Sequence, residues 1–303
     1  MRTLRLVARR LLARPLGLAL RLSARRTGLV LVYHALAERQ GDPARELVPP
    51  QSLEAFERQL RLVKSRYRVV AATELLHAIG SRRRGQRIPV AVTFDDDLAS
   101  HAELAAPVLR RLDVPATFFL TGASLDAPTS FWWERLQAAA DRGDDLGEGG
   151  VHARAAAFEA MPPAERARVT ADLPAEAAAR PLDRTAVRQL ADAGFAIGFH
   201  TLRHDRLTDL EDAALERALR DGREELEAVA GPVTAIAYPH GKADERVARA
   251  AGAVGFALGF TGRYEPVLDV SDPLLLGRVE PVVGPVADFA AQIAGALRRV
   301  PQR

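Results

Sequence analysis

Apolar runs alternate with helical segments along most of this chain, and this alternation constrains its fold more than any other feature. Residues 28–34, 88–92 and 116–120 are continuous apolar runs typical of buried strands, and apolar residues at helical spacing lie between them. Strands that alternate with helices form βαβ units, so the sequence predicts a mostly parallel sheet or barrel. With 303 residues, of which 48% are hydrophobic, the chain can bury a sizeable core.

The alternation is interrupted once, over residues 125–182. This stretch contains Trp132 and Trp133 and is otherwise rich in Ala, Arg and Glu, which favour helix. We expect a helical insertion near the rim of the domain, in which the two tryptophans either stack on a sugar or anchor the insertion. The alternation resumes afterwards, with a helix predicted over 211–230 and a strand over 274–279.

The first 27 residues form a basic segment with eight arginines, and no acidic residue occurs before Glu38. The pattern predicts an amphipathic arm, followed by one domain over 28–303. The arm is expected either to contact an anionic membrane surface or to pack on the domain. Arg14 and Arg21 interrupt its apolar runs, so we expect neither a transmembrane span nor a signal peptide. These features predict a cytoplasmic protein, which would be peripheral at the inner membrane if the arm contacts lipid.

Two features of the composition exclude whole classes of site. The chain has no cysteine, which excludes a disulfide framework and a thiolate zinc site. Any metal must therefore be held by His, Asp or Glu. The formal net charge is only +3, so we expect no nucleic-acid partner.

Ionisable residues follow two of the predicted strands. Asp95 and Asp96 come just after the run 88–92, and His200 and His204 follow a second apolar run. Ligands gather at the carboxyl ends of parallel strands. Consecutive residues of an extended segment point opposite ways, so one aspartate would bind metal and the other would act as a base. A spacing of four places both histidines on one face of a helical turn. Two solvated loop carboxylates and two surface histidines are the alternative.

The order and spacing of these motifs resemble the NodB-homology polysaccharide deacetylases, carbohydrate esterase family 4, over roughly residues 28–280. The matching segments are Thr93-Phe94-Asp95-Asp96, Ala116-Thr117-Phe118-Phe119 and His200-Thr201-x-x-His204. The resemblance implies a distorted (β/α) barrel of about seven parallel strands with a helical insertion. It also implies Asp95 as general base and one divalent metal ion on Asp96, His200 and His204. This ligand set suits Zn²⁺, and also Co²⁺, Ni²⁺ or Fe²⁺.

The sequence departs from the family pattern at three places. Asp97 stands where the first motif usually has Gly, and we expect Asp97 to keep a left-handed turn. The segment 237–241 keeps Pro and Gly of a later motif but lacks its Arg. We expect the backbone N–H of His240 to act as an oxyanion donor there, and Arg278 to replace the missing Arg beside Asp95.

The third departure concerns the general acid. The late Leu-x-His motif that supplies the acid in the family is absent, because no histidine follows His240. His34 ends the first strand and is the best candidate. In this it is similar to a branch of the family that resembles poly-N-acetylglucosamine deacetylases.

The resemblance implies a carbohydrate deacetylase, a hydrolase of linear amide carbon–nitrogen bonds, acting on an N-acetylated polysaccharide, oligosaccharide or glycan precursor. Two alternatives stay open. One is a deformylase or deacetylase of a lipid-linked sugar at the membrane, which the basic arm would suit. The other is a catalytically inactive, carbohydrate-binding relative, which the missing Arg and late His would suit.

Overall fold

The computed structural model describes residues 19–174 and 180–300, and its centre is a curled, mostly parallel sheet. Most of residues 1–27, the predicted basic arm, therefore lie outside the described residues. Seven parallel strands confirm the predicted distorted (β/α) barrel. The strands are β1 (Thr27–Tyr33), β2 (Leu36–Ala37), β3 (Gln51–Ser52), β4 (Arg68–Val70), β5 (Pro89–Asp95), β6 (Thr117–Leu120), β7 (Ala196–Phe199), β8 (Ala235–Ala237), β9 (Leu258–Phe260) and β10 (Val267–Leu268).

The order of the strands in the main sheet is β10-β1-β5-β6-β7-β8-β9, with β4 beside the first half of β5. Only β10 runs antiparallel, and β2 pairs with β3 separately. Helices surround the sheet: α1 (Leu53–Arg66), α2 (Leu75–Gly80), α3 (Ala106–Arg111), α4 (Trp132–Arg142), α5 (Gly150–Glu159), α6 (Pro163–Val169), α7 (Arg184–Asp192), α8 (Asp212–Arg220), α9 (Arg223–Ala230), α10 (Glu245–Ala253) and α11 (Val286–Ala296). Among the described residues, no helix has the length and apolar character needed to cross a membrane.

The strands are buried on both faces, which explains why they read as continuous apolar runs. All seven residues of β1 and of β5 are buried. Phe94 on β5 stacks on Phe118 of β6, with ring centroids 4.7 Å apart, and Tyr33 of β1 stacks on Phe94. This packing holds the carboxyl ends of the three strands in fixed positions.

The chain closes the barrel through an extended segment, residues 274–279, which lies between β9 and β1. The prediction of a regular strand here is wrong, because only Leu276 and Val279 pair, with Phe260 and Leu31 respectively. The chain crosses from one neighbour to the other at Gly277. A Cβ there would lie 2.5 Å from the Glu265 side chain, so the close approach requires glycine.

The predicted helix over 211–230 is two helices, α8 and α9, and the prediction of a single helix is wrong. The break falls at Gly222, which has a φ of 81°. A Cβ on Gly222 would lie 2.9 Å from Leu202. The break therefore makes room for the loop that carries His200 and His204.

The predicted insertion contains the three helices α4 to α6. The first two of them, α4 and α5, enclose a small apolar cluster, formed by Leu136, Val151 and Phe158. Trp132 packs against Phe158 in this cluster, with ring centroids 5.9 Å apart. The start of α4 lies at the carboxyl end of the sheet, where the candidate site is found.

Candidate active site

A cavity of about 670 Å³ opens at the carboxyl ends of the strands. Its walls come from the ends of β1, β5, β7 and β8, from the closing segment and from the insertion. The structure brings together all seven residues that the sequence analysis selected, because each of them lines this cavity: His34, Asp95, Asp96, His200, His204, His240 and Arg278.

Three of these residues form a compact set of ligand atoms. Asp96 Oδ1 lies 3.6 Å from His200 Nε2 and 3.5 Å from His204 Nε2, and the two Nε2 atoms are 3.1 Å apart. All three atoms lie within 4.8 Å of one another. Two imidazoles and one carboxylate this close together are a group that would hold a divalent ion and leave it accessible to water and substrate.

The backbone around this set adopts conformations that residues other than glycine rarely take. Among the described residues, five such positions have a positive φ, and four of them are at the site. Those four are Asp96 (73°), Thr201 (58°), His204 (52°) and His240 (57°). A left-handed residue costs about 1–2 kcal/mol, so the surrounding packing must hold these conformations.

The left-handed conformation of Asp96 corrects two of the sequence-based predictions. Asp95 and Asp96 do not point opposite ways, because the turn at Asp96 brings both carboxylates to His200. Asp95 Oδ2 lies 4.0 Å from His200 Nε2, close to the 3.6 Å of Asp96 Oδ1. The left-handed position is Asp96 and not Asp97. Asp97 instead accepts hydrogen bonds from the backbone N–H and the hydroxyl of Thr121, at 2.7 and 2.5 Å.

His200 and His204 reach the site without a helix, so that expectation was also wrong. They lie in a turn between β7 and the next helical segment, with left-handed residues at Thr201 and His204. The N–H of His204 donates to the carbonyl of Thr201 at 3.3 Å. The turn, rather than a helical repeat, brings the two Nε2 atoms together.

The protonation pattern of these residues fits a bound cation. His200 Nδ1 lies 2.8 Å from the carbonyl of Ala237, which can only accept, so Nδ1 carries the proton and the Nε2 lone pair faces Asp96. The pKa of His204 lies well below its usual value, mainly because the side chain is buried and to a lesser degree because of electrostatic repulsion from His200. The neutral imidazole is therefore favoured. Asp96 Oδ1 is buried without a hydrogen-bond partner. A divalent ion would satisfy this oxygen, so the residues fit the metal that the family implies.

Arg278 makes a bidentate pair with Asp95. Nη1 and Nη2 donate to the two carboxylate oxygens, each at 2.6 Å, and Nε donates to the carbonyl of Thr261 at 3.2 Å. Both side chains are buried. Burial alone would raise the pKa of Asp95, but the charge and hydrogen bonds of Arg278 outweigh it and lower the pKa to about 2. Asp95 is therefore ionised at neutral pH.

His34 lines the cavity just after β1, whose last residue pairs with Phe94 beside Asp95, and about a third of its side chain is exposed. Its Nδ1 is 3.9 Å from a carboxylate oxygen of Glu280. The backbone carbonyl of His34 lies 3.3 Å from Nε2 of His101, which is buried against Phe94. His101 therefore contacts the end of β1 from the core of the domain and does not line the cavity.

The insertion contributes an aromatic wall beside the ligand set. The Trp133 ring centroid lies 4.6 Å from that of His204, and Phe131 stacks on Trp133 at 4.7 Å. His240 completes this wall, 4.8 Å from His204 by ring centroids. Glu134 accepts the N–H of Phe131 at 2.7 Å, which fixes the start of α4. Trp133 thus faces the site, whereas Trp132 also packs within the insertion.

Two contributors to the site were missed by sequence reasoning. Glu280 had a detectable signal, because it follows Arg278 by two in an extended segment and so shares its side. The carbonyl of Ala237 had no signal in the sequence, because it is a backbone group whose position depends on the pairing of β7 with β8.

Comparisons with known proteins agree with this site. The sequence matches the polysaccharide deacetylase family over residues 82–259. Curated protein sequences gave no match. The chain belongs to the polysaccharide deacetylase family, and membership makes it a carbohydrate deacetylase.

Three solved structures share the fold. The Streptococcus pyogenes deacetylase PplD, in complex with acetate, is 16% identical, with a TM-score of 0.64 over 90% of this chain and 99% of that one. BC0361, a polysaccharide deacetylase from Bacillus cereus, is 22% identical, with a TM-score of 0.61 over 89% and 69%. IcaB from Ammonifex degensii is 18% identical, with a TM-score of 0.59 over 90% and 97%.

Proposed function

We propose that this protein is a metal-dependent hydrolase that removes N-acetyl groups from an N-acetylated glycan. The observation that carries the proposal is the Asp95–Arg278 pair, whose carboxylate lies 4.0 Å from a ligand of the Asp96, His200 and His204 set. A solvated pair of loop carboxylates would have neither a buried arginine nor two buried imidazoles beside it.

Asp96, His200 and His204 would hold the cation, most readily Zn²⁺, with Co²⁺, Ni²⁺ and Fe²⁺ also compatible with the ligand set. Such an ion supplies Lewis-acid activation of a water molecule and of the acyl carbonyl. The role of the protein is to fix the three ligand atoms, through the left-handed turns and the bond from His200 to the carbonyl of Ala237.

Asp95 is placed to take the proton from the attacking water. Its two oxygens are held by Arg278, and the carboxylate edge toward His200 faces the cavity. Arg278 keeps Asp95 charged and prevents it from rotating, so it acts as a positioning residue for the base.

His34 is placed to protonate the leaving amine. It lines the cavity outside the set of Asp96, His200 and His204, about a third of its side chain is exposed, and Glu280 lies near its Nδ1. The backbone N–H of His240 is proposed as a donor to the oxyanion of the tetrahedral intermediate. The left-handed conformation of His240 places this peptide at the end of β8, beside His204.

The cavity is suited to a sugar with its acyl group directed at the ligand set. Trp133 offers an aromatic face to the cavity, and polar groups surround the opposite side. The match to the polysaccharide deacetylase family and the structure of PplD, a deacetylase in complex with acetate, support an acetylated sugar as substrate. We further propose that residues 28–303 form the catalytic domain and that the insertion, 125–182, is one wall of its substrate site.

The experiment that tests the function measures acetate and formate released from a panel of N-acylated glucosamine oligosaccharides. The purified protein, loaded with Zn²⁺, is compared with the variant Asp95→Asn. Acetate release that Asp95→Asn abolishes is the expected result. Formate release alone would point to a deformylase, and sugar binding without product would point to an inactive relative.

A further inference from the structure

A buried arginine fastens the chain that precedes β1 to the base of the barrel. Arg82 is only 5% exposed, and Leu20 packs into the core. The guanidinium donates to four backbone carbonyls of this segment: Leu20 (3.1 Å), Arg21 (2.8 Å), Ser23 (3.2 Å) and Arg25 (2.7 Å). Residues 20–25 are therefore held against the domain in a defined conformation.

This arrangement gathers arginines from three parts of the sequence, which we call the arginine patch. It consists of Arg21, Arg25, Arg83, Arg84, Arg298 and Arg299. Three hydrogen bonds of 2.7 Å join the parts: Arg21 Nε to the carbonyl of Gly85, Arg84 Nε to that of Leu22, and Arg25 Nη2 to that of Arg299. These three side chains are held by backbone oxygens, which do not neutralise the guanidinium charge.

The patch is not neutralised by acidic residues. Within the part of the chain that the structure describes, none of its six guanidinium groups has a carboxylate within 4.0 Å. The neighbouring Arg26 does pair, with Asp269 at 3.5 Å. Two apolar side chains project among the arginines: Leu22 is 49% exposed and Val300 83% exposed. A surface of arginines with exposed apolar side chains suits the headgroup region of an anionic bilayer.

The patch and the cavity lie at opposite ends of the sheet. Arg25 precedes β1, and Arg83 and Arg84 precede β5, so the patch lies at the amino ends of these parallel strands. The cavity lies at their carboxyl ends. The seven residues of β1 span about 20 Å, which separates the two surfaces.

We propose that the arginine patch docks this protein on an anionic lipid surface, with the mouth of the cavity facing away from the bilayer. The basic segment 1–27 is predicted either to contact an anionic membrane or to pack on the domain; the structure adds Arg83, Arg84, Arg298 and Arg299 from the folded domain. The exposed Leu22 and Val300 favour lipid over a nucleic acid, which needs charge alone. With this orientation, a substrate in the aqueous phase would reach the cavity. A sugar attached to a lipid of the same leaflet would not, because the cavity faces away from the bilayer.

The binding test uses the full chain and vesicles of phosphatidylcholine with about 30% phosphatidylserine. The double variant Arg83→Glu with Arg298→Glu reverses two charges whose side chains make no hydrogen bond or ion pair among the described residues. We expect its vesicle affinity to fall at least about tenfold. The matched control, Arg188→Glu with Arg217→Glu on α7 and α8, should bind as the parent does. Equal loss in both variants, or none in either, would overturn the patch as the docking surface.

Orientation is tested with single cysteines, which the chain allows because it has none of its own. Val300→Cys places an environment-sensitive fluorophore in the patch, and Val283→Cys places one at the rim of the cavity. Anionic vesicles should shift the emission of the first to the blue and leave the second unchanged. A shift at position 283 would contradict the orientation, and binding to DNA but not to vesicles would contradict the lipid partner. Neither readout depends on activity.

Discussion

Arg278 and Asp95 are 183 positions apart in the chain, yet Arg278 donates two hydrogen bonds of 2.6 Å to the buried Asp95 carboxylate at the mouth of the barrel. Arg278 reaches Asp95 because the segment 274–279 closes the gap between β9 and β1. We propose that Arg278 takes the role of the arginine that the family motif lacks here, and this proposal has consequences for activity that can be tested.

Replacing Arg278 with Met should lower kcat/KM at least about 100-fold, because the base loses the group that charges and orients it. Asp95 would be left buried and unpaired, which costs about 3–5 kcal/mol of stability. Burial would then raise the pKa of Asp95, so the acid limb of the kcat/KM profile should move to higher pH. Arg278→Lys should recover part of the activity. Arg110→Met on α3 is the control and should keep the kcat/KM of the parent. If Arg278→Met also kept it, Arg278 would have no role in positioning the base.

His204→Ala should remove the divalent ion. The expected metal content is about one ion per chain in the parent and less than a tenth of that in the variant. Activity should fall at least about 1,000-fold, because two ligands do not hold the ion in place. Metal analysis by mass spectrometry checks the first statement and acetate release the second. The exposed His77→Ala serves as control, and full metal content in His204→Ala would refute the ligand set.

His34→Ala should separate proton transfer from metal binding. Because His34 lies outside the ligand set, the metal content should stay at that of the parent, while kcat falls about 10² to 10⁴-fold. The loss should be smaller for a substrate with a better leaving amine, which needs less protonation. An unaltered kcat with the metal bound would mean that another group supplies the acid.

Trp133→Ala should raise KM by about three- to tenfold, because the aromatic face toward the sugar is lost. The accompanying fall in kcat should be smaller. Trp132→Ala is the comparison variant: Trp132 also lines the cavity, but its ring packs against Phe158 in the cluster of the insertion, whereas that of Trp133 packs against His204. We expect Trp132→Ala to lower the melting temperature more than Trp133→Ala does. Equal effects on KM would argue against a sugar contact at Trp133.

His101 should make the fold sensitive to acid. Burial lowers the pKa of His101 to about 3, from 6.5 in the unfolded chain. Between pH 6 and 5 the unfolded chain therefore binds a proton that the folded protein does not, and the free energy of unfolding falls as pH falls. His101→Gln should reduce this dependence by about 1 kcal/mol per pH unit in urea titrations. The control variant, His77→Gln at an exposed position, should leave the pH dependence of the free energy of unfolding unchanged. If His101 were protonated in the folded protein, His101→Gln would leave it unchanged as well, which would contradict the prediction.

The sequence predicted those parts of the molecule that depend on local pattern. The alternation of strands and helices, and the polar residues after 88–92 and 195–199, sufficed for the parallel barrel and for the edge at which the cavity lies. Parallel strands end at a common edge, so residues far apart in the chain could be assigned to one place.

The remaining features depend on tertiary packing and had no local signal. Asp96 is held left-handed against its own preference, and the break at Gly222 depends on contact with Leu202. The sequence of the closing segment predicts a regular strand, but the segment pairs with its neighbours at only two residues. Which of the two tryptophans faces the ligand set is likewise decided by the packing of α4 on α5.

The most direct test of the account is acetate release from an N-acetylglucosamine oligosaccharide by the protein with and without one equivalent of Zn²⁺. The metal-stripped protein should be inactive, and adding one ion per chain should restore release in the parent but not in Asp95→Asn, which should still bind the ion. Acetate release that survives complete metal removal, or that Asp95→Asn retains, would contradict the division of roles between Asp95 and the set of Asp96, His200 and His204.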